Sequence, residues 1–263
     1  MRLLNFVFAL CASVLLSNAA QADDFTVHVV GGSQLSARVD FPPGDGPFPA
    51  IVLAPGQGYH MNLPALEATA RALAAQGIAV FRFNWRYFTA VPKGRPSEDL
   101  SNELKDLQAV VAAARQHPKV LAKNLSVGGK SLGSVVAWRA FAADASLRSA
   151  LLLTPVCSRV PKGATVPASE AQENYPAFEK EPRPTLAILG DKDPLCATPV
   201  LYRFAASGAV APRLAIVGGD HSYENQALPP AEADAARARN IAAVSAIAAS
   251  FVAEAASAVA SAP

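Results

Sequence analysis

The sequence predicts an α/β fold: a mostly parallel sheet with helices on both faces, led by an N-terminal antiparallel hairpin. Short apolar segments alternate along the chain with segments whose apolar residues recur at helical spacing. Several apolar segments are uninterrupted, as expected for strands covered on both faces. With 263 residues, 51% of them hydrophobic, the chain is large enough to bury such a sheet in a single domain.

The predicted elements follow one another in a regular order. Two β-rich runs joined through Gly31-Gly32-Ser33 form the hairpin, at residues 25–30 and 35–41. Buried strands are predicted at residues 50–54, 78–83, 125–129, 150–154, 185–189 and 214–217. Helices are predicted to start at Asn62 as an N-cap, to cover residues 100–114, 134–143 and 200–206, and to start again at Pro229-Pro230.

Composition excludes several classes of protein. The 23 basic and 21 acidic residues are nearly balanced, and no basic cluster marks a binding surface for phosphate backbones. A charged fraction of 17% is too low for a disordered chain. We therefore expect a globular protein that acts on a small molecule and does not bind nucleic acid. Nothing in the sequence indicates an oligomeric state.

The N-terminus is typical of a signal peptide. Arg2 precedes an apolar run from Leu3 to Leu16, and Ala20-Gln21-Ala22 places small residues at the positions that signal peptidases require. The run is shorter than the ~20 residues that span a bilayer. We predict cleavage after Ala22, a single mature domain over residues 23–263 without a stable membrane span, and a periplasmic or secreted location.

The mature chain retains two cysteines, Cys157 and Cys196. An even number of cysteines in an oxidising compartment is compatible with a disulfide. Two buried free thiols are the alternative, and the sequence leaves both open.

A Gly-x-Ser-x-Gly motif lies between a predicted strand and helix, at Gly129-Lys130-Ser131-Leu132-Gly133. A serine in such a sharp turn exposes its hydroxyl above the sheet, and this turn needs small residues two positions away on either side. Gly-Lys-Ser also ends phosphate-binding loops, but the first glycine of that motif would fall at Asn124. The sequence favours Ser131 as a nucleophile.

An acid and a histidine follow two later strands. Gly190-Asp191-Lys192-Asp193 comes after the strand at 185–189, and Asp220-His221 comes after the strand at 214–217. Because parallel strands present their carboxyl ends at one edge, these side chains are expected to meet Ser131. Histidine would take the serine proton, and a carboxylate would orient the imidazole. Asp193 is preferred over Asp191 as the acid, and His221 is the expected base.

Two backbone N–H groups are predicted to form an oxyanion hole. One belongs to Leu132, directly after the serine, and the other to Gln57 in the glycine-containing loop after the first parallel strand. This loop also contains Gly-x-Gly, but Met61 occupies the third glycine position of a dinucleotide motif. Asn84 stands where that motif needs a ribose-binding acid. No cofactor is predicted.

Further residues are placed at the same rim by the strand order. His60 and the cluster Trp85-Arg86-Tyr87 are candidates for a substrate wall, with Arg86 as an anion contact; packing under a loop is the alternative for the cluster. No histidine or acid has metal-ligand spacing on one element, so no metal site is predicted. The Pro- and charge-rich segment 158–184 is predicted to be a mobile cover over the site.

From about Ala50 to Tyr223 the chain resembles the α/β-hydrolase superfamily, and within it the dienelactone-hydrolase-like serine hydrolases. It is most similar to a branch marked by Phe81-Arg82-Phe83-Asn84 and by the Gly-Gly-Lys-Ser-Leu-Gly of residues 128–133. The resemblance implies the α/β-hydrolase fold, with Ser131 as nucleophile, Asp193 as acid and His221 as base. The branch usually carries His-Gly where this chain has Pro55-Gly56, which puts the local loop geometry in doubt.

These observations lead to an expectation and two alternatives. We expect an exported serine hydrolase that cleaves a carboxylic ester, before a thioester or an amide, through an acyl-enzyme. One alternative is a catalytically silent domain that serves as a binding or interaction module. A metal-dependent hydrolase is the other.

Overall fold

The structure is a computed structural model that describes residues 21–206 and 212–258. Within these ranges there are ten strands: β1 (Gln21–His28), β2 (Gln34–Phe41), β3 (Phe48–Ala54), β4 (Ala79–Phe83), β5 (Val120–Lys130), β6 (Ala150–Leu153), β7 (Ser158–Arg159), β8 (Ala168–Ser169), β9 (Thr185–Gly190) and β10 (Arg213–Val217). The helices there are α1 (Pro64–Ala75), α2 (Arg86–Thr89), α3 (Ser101–Gln116), α4 (Leu132–Ala143), α5 (Ala171–Asn174), α6 (Thr198–Ala206) and α7 (Pro230–Ser257). Most of the predicted signal peptide lies outside the described residues.

Eight strands form one sheet in the order β1-β2-β4-β3-β5-β6-β9-β10. β1 pairs antiparallel with β2, from Gln21 opposite Phe41 to His28 opposite Gln34, and β2 pairs antiparallel with β4. The remaining neighbours are all parallel. The predicted fold class, a mostly parallel sheet led by an antiparallel hairpin, is therefore confirmed.

The sheet separates two hydrophobic clusters because side chains alternate along each strand. Val52 of β3 belongs to the cluster that contains the α3 and α4 side chains, whereas its neighbours Ile51 and Leu53 belong to the cluster with α1 and α7. All three side chains are completely buried. Uninterrupted apolar strands of this kind are what a sheet covered on both faces requires.

Helix α7 is long and apolar enough to cross a membrane by length and composition, and half of its most apolar window is buried inside the protein. It packs against α1, where Val244 and Ala248 join Leu66 and Leu73 in one cluster. Its apolar face therefore has a partner within the domain.

Helix α1 begins one residue later than predicted. Its first residue is Pro64 and its N-cap is Leu63, so the prediction of Asn62 as the cap is wrong. The Asn62 side chain instead accepts a hydrogen bond of 3.1 Å from Arg82. The hydrogen bond with Arg82, 20 residues away in sequence, thus replaces the predicted capping hydrogen bond of the Asn62 side chain.

The segment 158–184 contains short elements that the sequence did not reveal: β7 pairs with β8, α5 forms one turn, and a 3₁₀ turn covers Phe178–Lys180. Tyr175 and Phe178 are 1% and 2% exposed, and Phe178 stacks on Phe204. By contrast, Val166 is 71% exposed. The second half of the segment is therefore part of the core, and its movement over the site stays a prediction.

A disulfide joins Cys157, just after β6, to Cys196, just after β9. Both residues are completely buried, and the Cys157 N–H donates to the Leu195 carbonyl over 2.9 Å. The bond spans a sequence separation of 39 residues and brackets the segment 158–184. It therefore joins the residue that precedes the segment to the loop that follows β9.

Removing this disulfide is expected to destabilise the protein. A cross-link over this separation lowers the entropy of the unfolded chain, so the Cys157→Ala/Cys196→Ala double variant should lose about 2–4 kcal/mol of unfolding free energy. Urea unfolding of the variant and of the reduced wild type measures the loss, and the two should agree. An unchanged midpoint in both samples would contradict the role assigned to the bond.

Candidate active site

Ser131 is the single residue between β5, which ends at Lys130, and α4, which begins at Leu132. Its φ of 56° and ψ of −122° place it in a region that non-glycine residues seldom adopt. The turn is held by the Ser131 N–H, which donates to the Leu153 carbonyl over 2.9 Å. Backbone strain of this kind costs about 1–3 kcal/mol and tends to occur at functional sites.

Two glycines of the motif make this turn sterically possible. A Cβ on Gly129 would collide with the Gly133 main chain, and a Cβ on Gly133 would collide with the carbonyl groups of Ala54 and Pro55. The motif therefore contains glycine at these positions because the turn, the helix behind it and the end of β3 are in backbone contact.

Ser131, His221 and Asp193 lie within hydrogen-bonding distance of one another. The His221 Nε2 is 2.8 Å from the Ser131 Oγ, and the His221 Nδ1 is 2.9 and 3.0 Å from the two Asp193 carboxylate oxygens. Because Nδ1 faces a carboxylate, it carries the ring proton, and Nε2 is left to accept the serine proton. This is the geometry that general-base activation of a serine needs.

The two acids after β9 differ in their contacts. The Asp193 side chain is fully buried, and its Oδ1 also accepts the Leu195 N–H over 2.8 Å. The Asp191 Oδ1 instead accepts the Gly219 N–H over 2.8 Å. Asp193 thus contacts the histidine ring directly, whereas Asp191 connects its loop to the loop that carries His221.

The loop after β3 packs directly against Ser131. A Cβ on Gly56 would lie 3.3 Å from the Ser131 Cβ, so the main chain of this loop passes beside the serine. Gln57 follows at an exposed position, and Leu132 is the first residue of α4. Among the described residues, neither the Gln57 N–H nor the Leu132 N–H has an acceptor. Both are available to bind an oxyanion.

Trp85, Arg86 and Tyr87 do not form the predicted substrate wall. Trp85 is completely buried and donates its indole N–H to the Pro55 carbonyl over 2.9 Å. The Arg86 Nε donates to the Asp106 carboxylate over 2.6 Å, so this guanidinium is committed to an ion pair inside the protein.

Tyr87 supports the loop after β3 as well. It is 7% exposed, and its hydroxyl accepts the Gly58 N–H over 3.4 Å. Burial raises the pKa of Tyr87 to about 12, so the phenol stays protonated. The cluster after β4 packs under the loop, which is the alternative that the sequence left open. His60 lies on the exposed side of that loop, and its Nδ1 accepts the Asn62 N–H over 3.1 Å.

The Phe-Arg-Phe-Asn motif at the end of β4 binds Met61, near the end of the loop between β3 and α1. The Arg82 Nη1 donates to the Met61 carbonyl over 2.9 Å, and the Asn84 Oδ1 accepts the Met61 N–H over 2.8 Å. Arg82 is itself held by Asp40 of β2 at 2.8 Å, with its side chain 2% exposed. Both main-chain polar groups of one loop residue are therefore fixed by this motif.

A chain of buried hydrogen bonds supports the Ser131 main chain, and no motif or periodicity in the sequence points to it. The Ser134 hydroxyl donates to the Ser131 carbonyl over 2.6 Å and lies 2.8 Å from the Tyr175 hydroxyl. The Tyr175 hydroxyl accepts the Val156 N–H over 2.8 Å. Burial raises the pKa of Tyr175, so its proton remains available for Ser134.

Lys130 is a further residue whose contacts sequence reasoning missed. Its side chain is almost fully buried, and its ammonium donates to the His221 carbonyl over 2.7 Å and to the Thr154 hydroxyl over 3.2 Å. Burial lowers the pKa of Lys130 to about 8, although nearby carboxylates, Asp193 first among them, act in the opposite direction. The predictions treated this lysine only as part of a motif.

Comparison with known proteins identifies the family of this chain. The sequence model of a protein family, described as an alpha/beta hydrolase domain, matches residues 48–253 of this chain. A search of curated protein sequences gave no significant match.

Solved structures share the fold. An α/β serine hydrolase without a lid from Xanthomonas campestris is 22% identical, with a TM-score of 0.61, over 88% of this chain and 94% of that chain. Est1E from Butyrivibrio proteoclasticus is 17% identical, with a TM-score of 0.64, over 88% and 98% of the two chains. An α/β serine hydrolase homologue from Coxiella burnetii is 18% identical, with a TM-score of 0.62, over 83% and 95%. The match of the family model over most of the chain shows that this protein belongs to the α/β hydrolase family.

Proposed function

We propose that this protein is a serine hydrolase that cleaves a carboxylic ester through an acyl-enzyme. One observation supports this most strongly: the His221 ring lies between the Ser131 hydroxyl, at 2.8 Å, and the Asp193 carboxylate, at 2.9 Å. Three residues from three separate strand ends meet here in the order and geometry of a nucleophile, a base and an acid.

The proposed reaction has two halves. The Ser131 Oγ attacks the ester carbonyl while the His221 Nε2 takes its proton, and the N–H groups of Leu132 and Gln57 bind the oxygen that becomes negatively charged. His221 then gives the proton to the departing alcohol, which leaves the acyl group on Ser131. In the second half, water attacks the acyl carbonyl carbon while the His221 Nε2 takes a proton from it. The bond between the acyl carbon and the Ser131 Oγ then breaks, His221 returns the proton to this oxygen, and a carboxylic acid is released. Asp193 stabilises the imidazolium in both halves.

An ester is proposed before a thioester or an amide for two reasons. Several similar structures are described as esterases, among them a Pyrococcus furiosus esterase and an esterase domain from Rhodothermus marinus. In addition, an ester needs less from the site than an amide does, because an alcohol leaves more readily than an amine and needs less assistance from a protonated base.

Substitutions at the three residues are expected to abolish most of the turnover of p-nitrophenyl acetate. Ser131→Ala and His221→Ala should each lower kcat by about 10⁴–10⁶-fold, and Asp193→Asn by about 10³–10⁴-fold, because each removes one part of a unit that acts together. Asp191→Asn is the matched control, and it should stay within about threefold of the wild type because an amide oxygen can still accept the Gly219 N–H.

Labelling with a fluorophosphonate distinguishes the alternatives. The wild type should be labelled, and Ser131→Ala should not. Labelling that persists in Ser131→Ala, or a larger loss of kcat in Asp191→Asn than in Asp193→Asn, contradicts the assignment. A folded wild type that neither labels nor turns over ester would favour a binding module. Loss of activity with a chelator would favour a metal-dependent hydrolase.

We further propose that the protein is exported and that cleavage after Ala22 gives a mature periplasmic or secreted chain. The apolar run from Leu3 to Leu16 supports this proposal, and so does the disulfide, since such bonds persist mainly outside the cytoplasm. Cleavage there would remove the first two residues of β1 and leave its pairing intact from Asp23 opposite Val39 onward.

Export can be tested on the full chain expressed in a bacterium. The protein recovered outside the cytoplasm should begin at Asp23 and contain no free thiol, as read by N-terminal sequencing and by intact mass with and without reductant. An Ala20→Arg/Ala22→Arg variant should retain the leader, because signal peptidases need small residues at these positions. Recovery of the wild type in the cytoplasm with Met1 in place would refute the proposal.

A further inference from the structure

Lys130 is a buried cation that the proposed chemistry does not use. It is 1% exposed, and the acceptors of its ammonium are the His221 carbonyl at 2.7 Å and the Thr154 hydroxyl at 3.2 Å. Neither acceptor carries a charge, and no described carboxylate lies within ion-pair distance of its Nζ. Because burying an unpaired ammonium is unfavourable, an apolar side chain at this position would be easier to accommodate.

The loop that carries His221 is fastened to the neighbouring acid-bearing strand by several contacts. The Gly219 N–H donates to Asp191 over 2.8 Å, just after β9. The Tyr223 hydroxyl donates to the Ile188 carbonyl within β9 over 3.3 Å. These contacts fix the histidine relative to the acid, but none of them reaches the strand that leads to Ser131.

Lys130 supplies the connection to that strand. Among the described residues, its bond to the His221 carbonyl is the hydrogen bond that joins the main chain of this loop to β5. Ser131 follows Lys130 directly in the chain. This hydrogen bond therefore links the residue next to the nucleophile with the main chain of the base. The loop has no β-ladder of its own at this point, and β10 lies at the edge of the sheet.

We propose that Lys130 is a positioning residue that holds the His221 main chain at a fixed place beside Ser131. This inference rests on the proposed function, since it assigns Lys130 a role in the proton transfer between these two residues. The buried lysine does not touch substrate, so its loss should act on kcat and leave KM nearly unchanged. A displacement of about 1 Å at a reacting group can cost about 100-fold in rate.

Lys130→Met tests the proposal, because methionine keeps most of the side-chain length and removes the donor. With p-nitrophenyl acetate, kcat per folded molecule should fall by about 10–100-fold, with KM within about threefold of the wild type. The midpoint of thermal unfolding should not fall, since a buried charge has been replaced by an apolar group. Lys130→Arg, which keeps a cationic donor, should recover part of the lost kcat.

Lys123→Met is the matched control, because Lys123 lies on the same strand but is exposed. It should leave kcat, KM and thermal stability unchanged. If Lys130→Met does not fold, Lys130→Gln replaces it, and failure of both to fold would assign the lysine to the fold and overturn the proposal.

The outcomes separate this inference from the function on which it rests. If the wild type is labelled at Ser131 and Lys130→Met keeps kcat within twofold, the inference is wrong and the function stands. A loss of kcat that only follows a loss of folded protein also overturns it. If the wild type is neither labelled nor active, the proposed function itself fails.

Discussion

The close contact of two backbones at Gly133 is the constraint on which the site depends. The first turn of α4 passes so near the end of β3 that a single methyl group on Gly133 would strike the carbonyl groups of Ala54 and Pro55. This contact brings the loop after β3 against Ser131, where a Cβ on Gly56 would lie 3.3 Å from the Ser131 Cβ. The loop that contains the proposed donor Gln57 therefore lies beside the serine because β3 and β5 are adjacent and the turn between β5 and α4 is tight.

Hydrogen bonds from other elements also hold the loop after β3 and the turn that contains Ser131. Trp85, Tyr87 and the Arg82–Asn84 pair bind three points spaced along the loop after β3. Tyr175, from the segment between the two cysteines, supports the back of the serine turn through Ser134. Most of these supports are buried polar groups that are hydrogen-bonded, and such groups can fix one geometry where apolar packing alone would allow several.

The parts of the site that the sequence predicted are those set by strand order and by a local turn. Ser131, Asp193 and His221 each follow a predicted strand, so the parallel sheet brings them to one edge without any knowledge of side-chain packing. The sheet itself was predictable because apolar runs such as β3 and β4 carry an unbroken signal.

The predictions failed where a partner is distant in sequence. The cluster Trp85-Arg86-Tyr87 was assigned to the rim from its place after a strand, but the partners of these residues are Pro55, Asp106 and Gly58, which lie 20 to 30 residues away. One acceptor of the Lys130 ammonium, the His221 carbonyl, is 91 residues away. No periodicity or motif in a single sequence encodes such pairs, since they arise only when the sheet is assembled.

The central claim is that Ser131 becomes acylated during ester hydrolysis. The most direct measurement is to mix the protein with p-nitrophenyl acetate, quench in acid within the first turnover, and map the acetyl group by peptide mass spectrometry. The account predicts one acetyl group on the peptide that contains Ser131, with none in Ser131→Ala and an accumulated adduct in the wild type. An acetyl group on another residue, or steady turnover without any covalent adduct under conditions that trap a known acyl-enzyme, would contradict it.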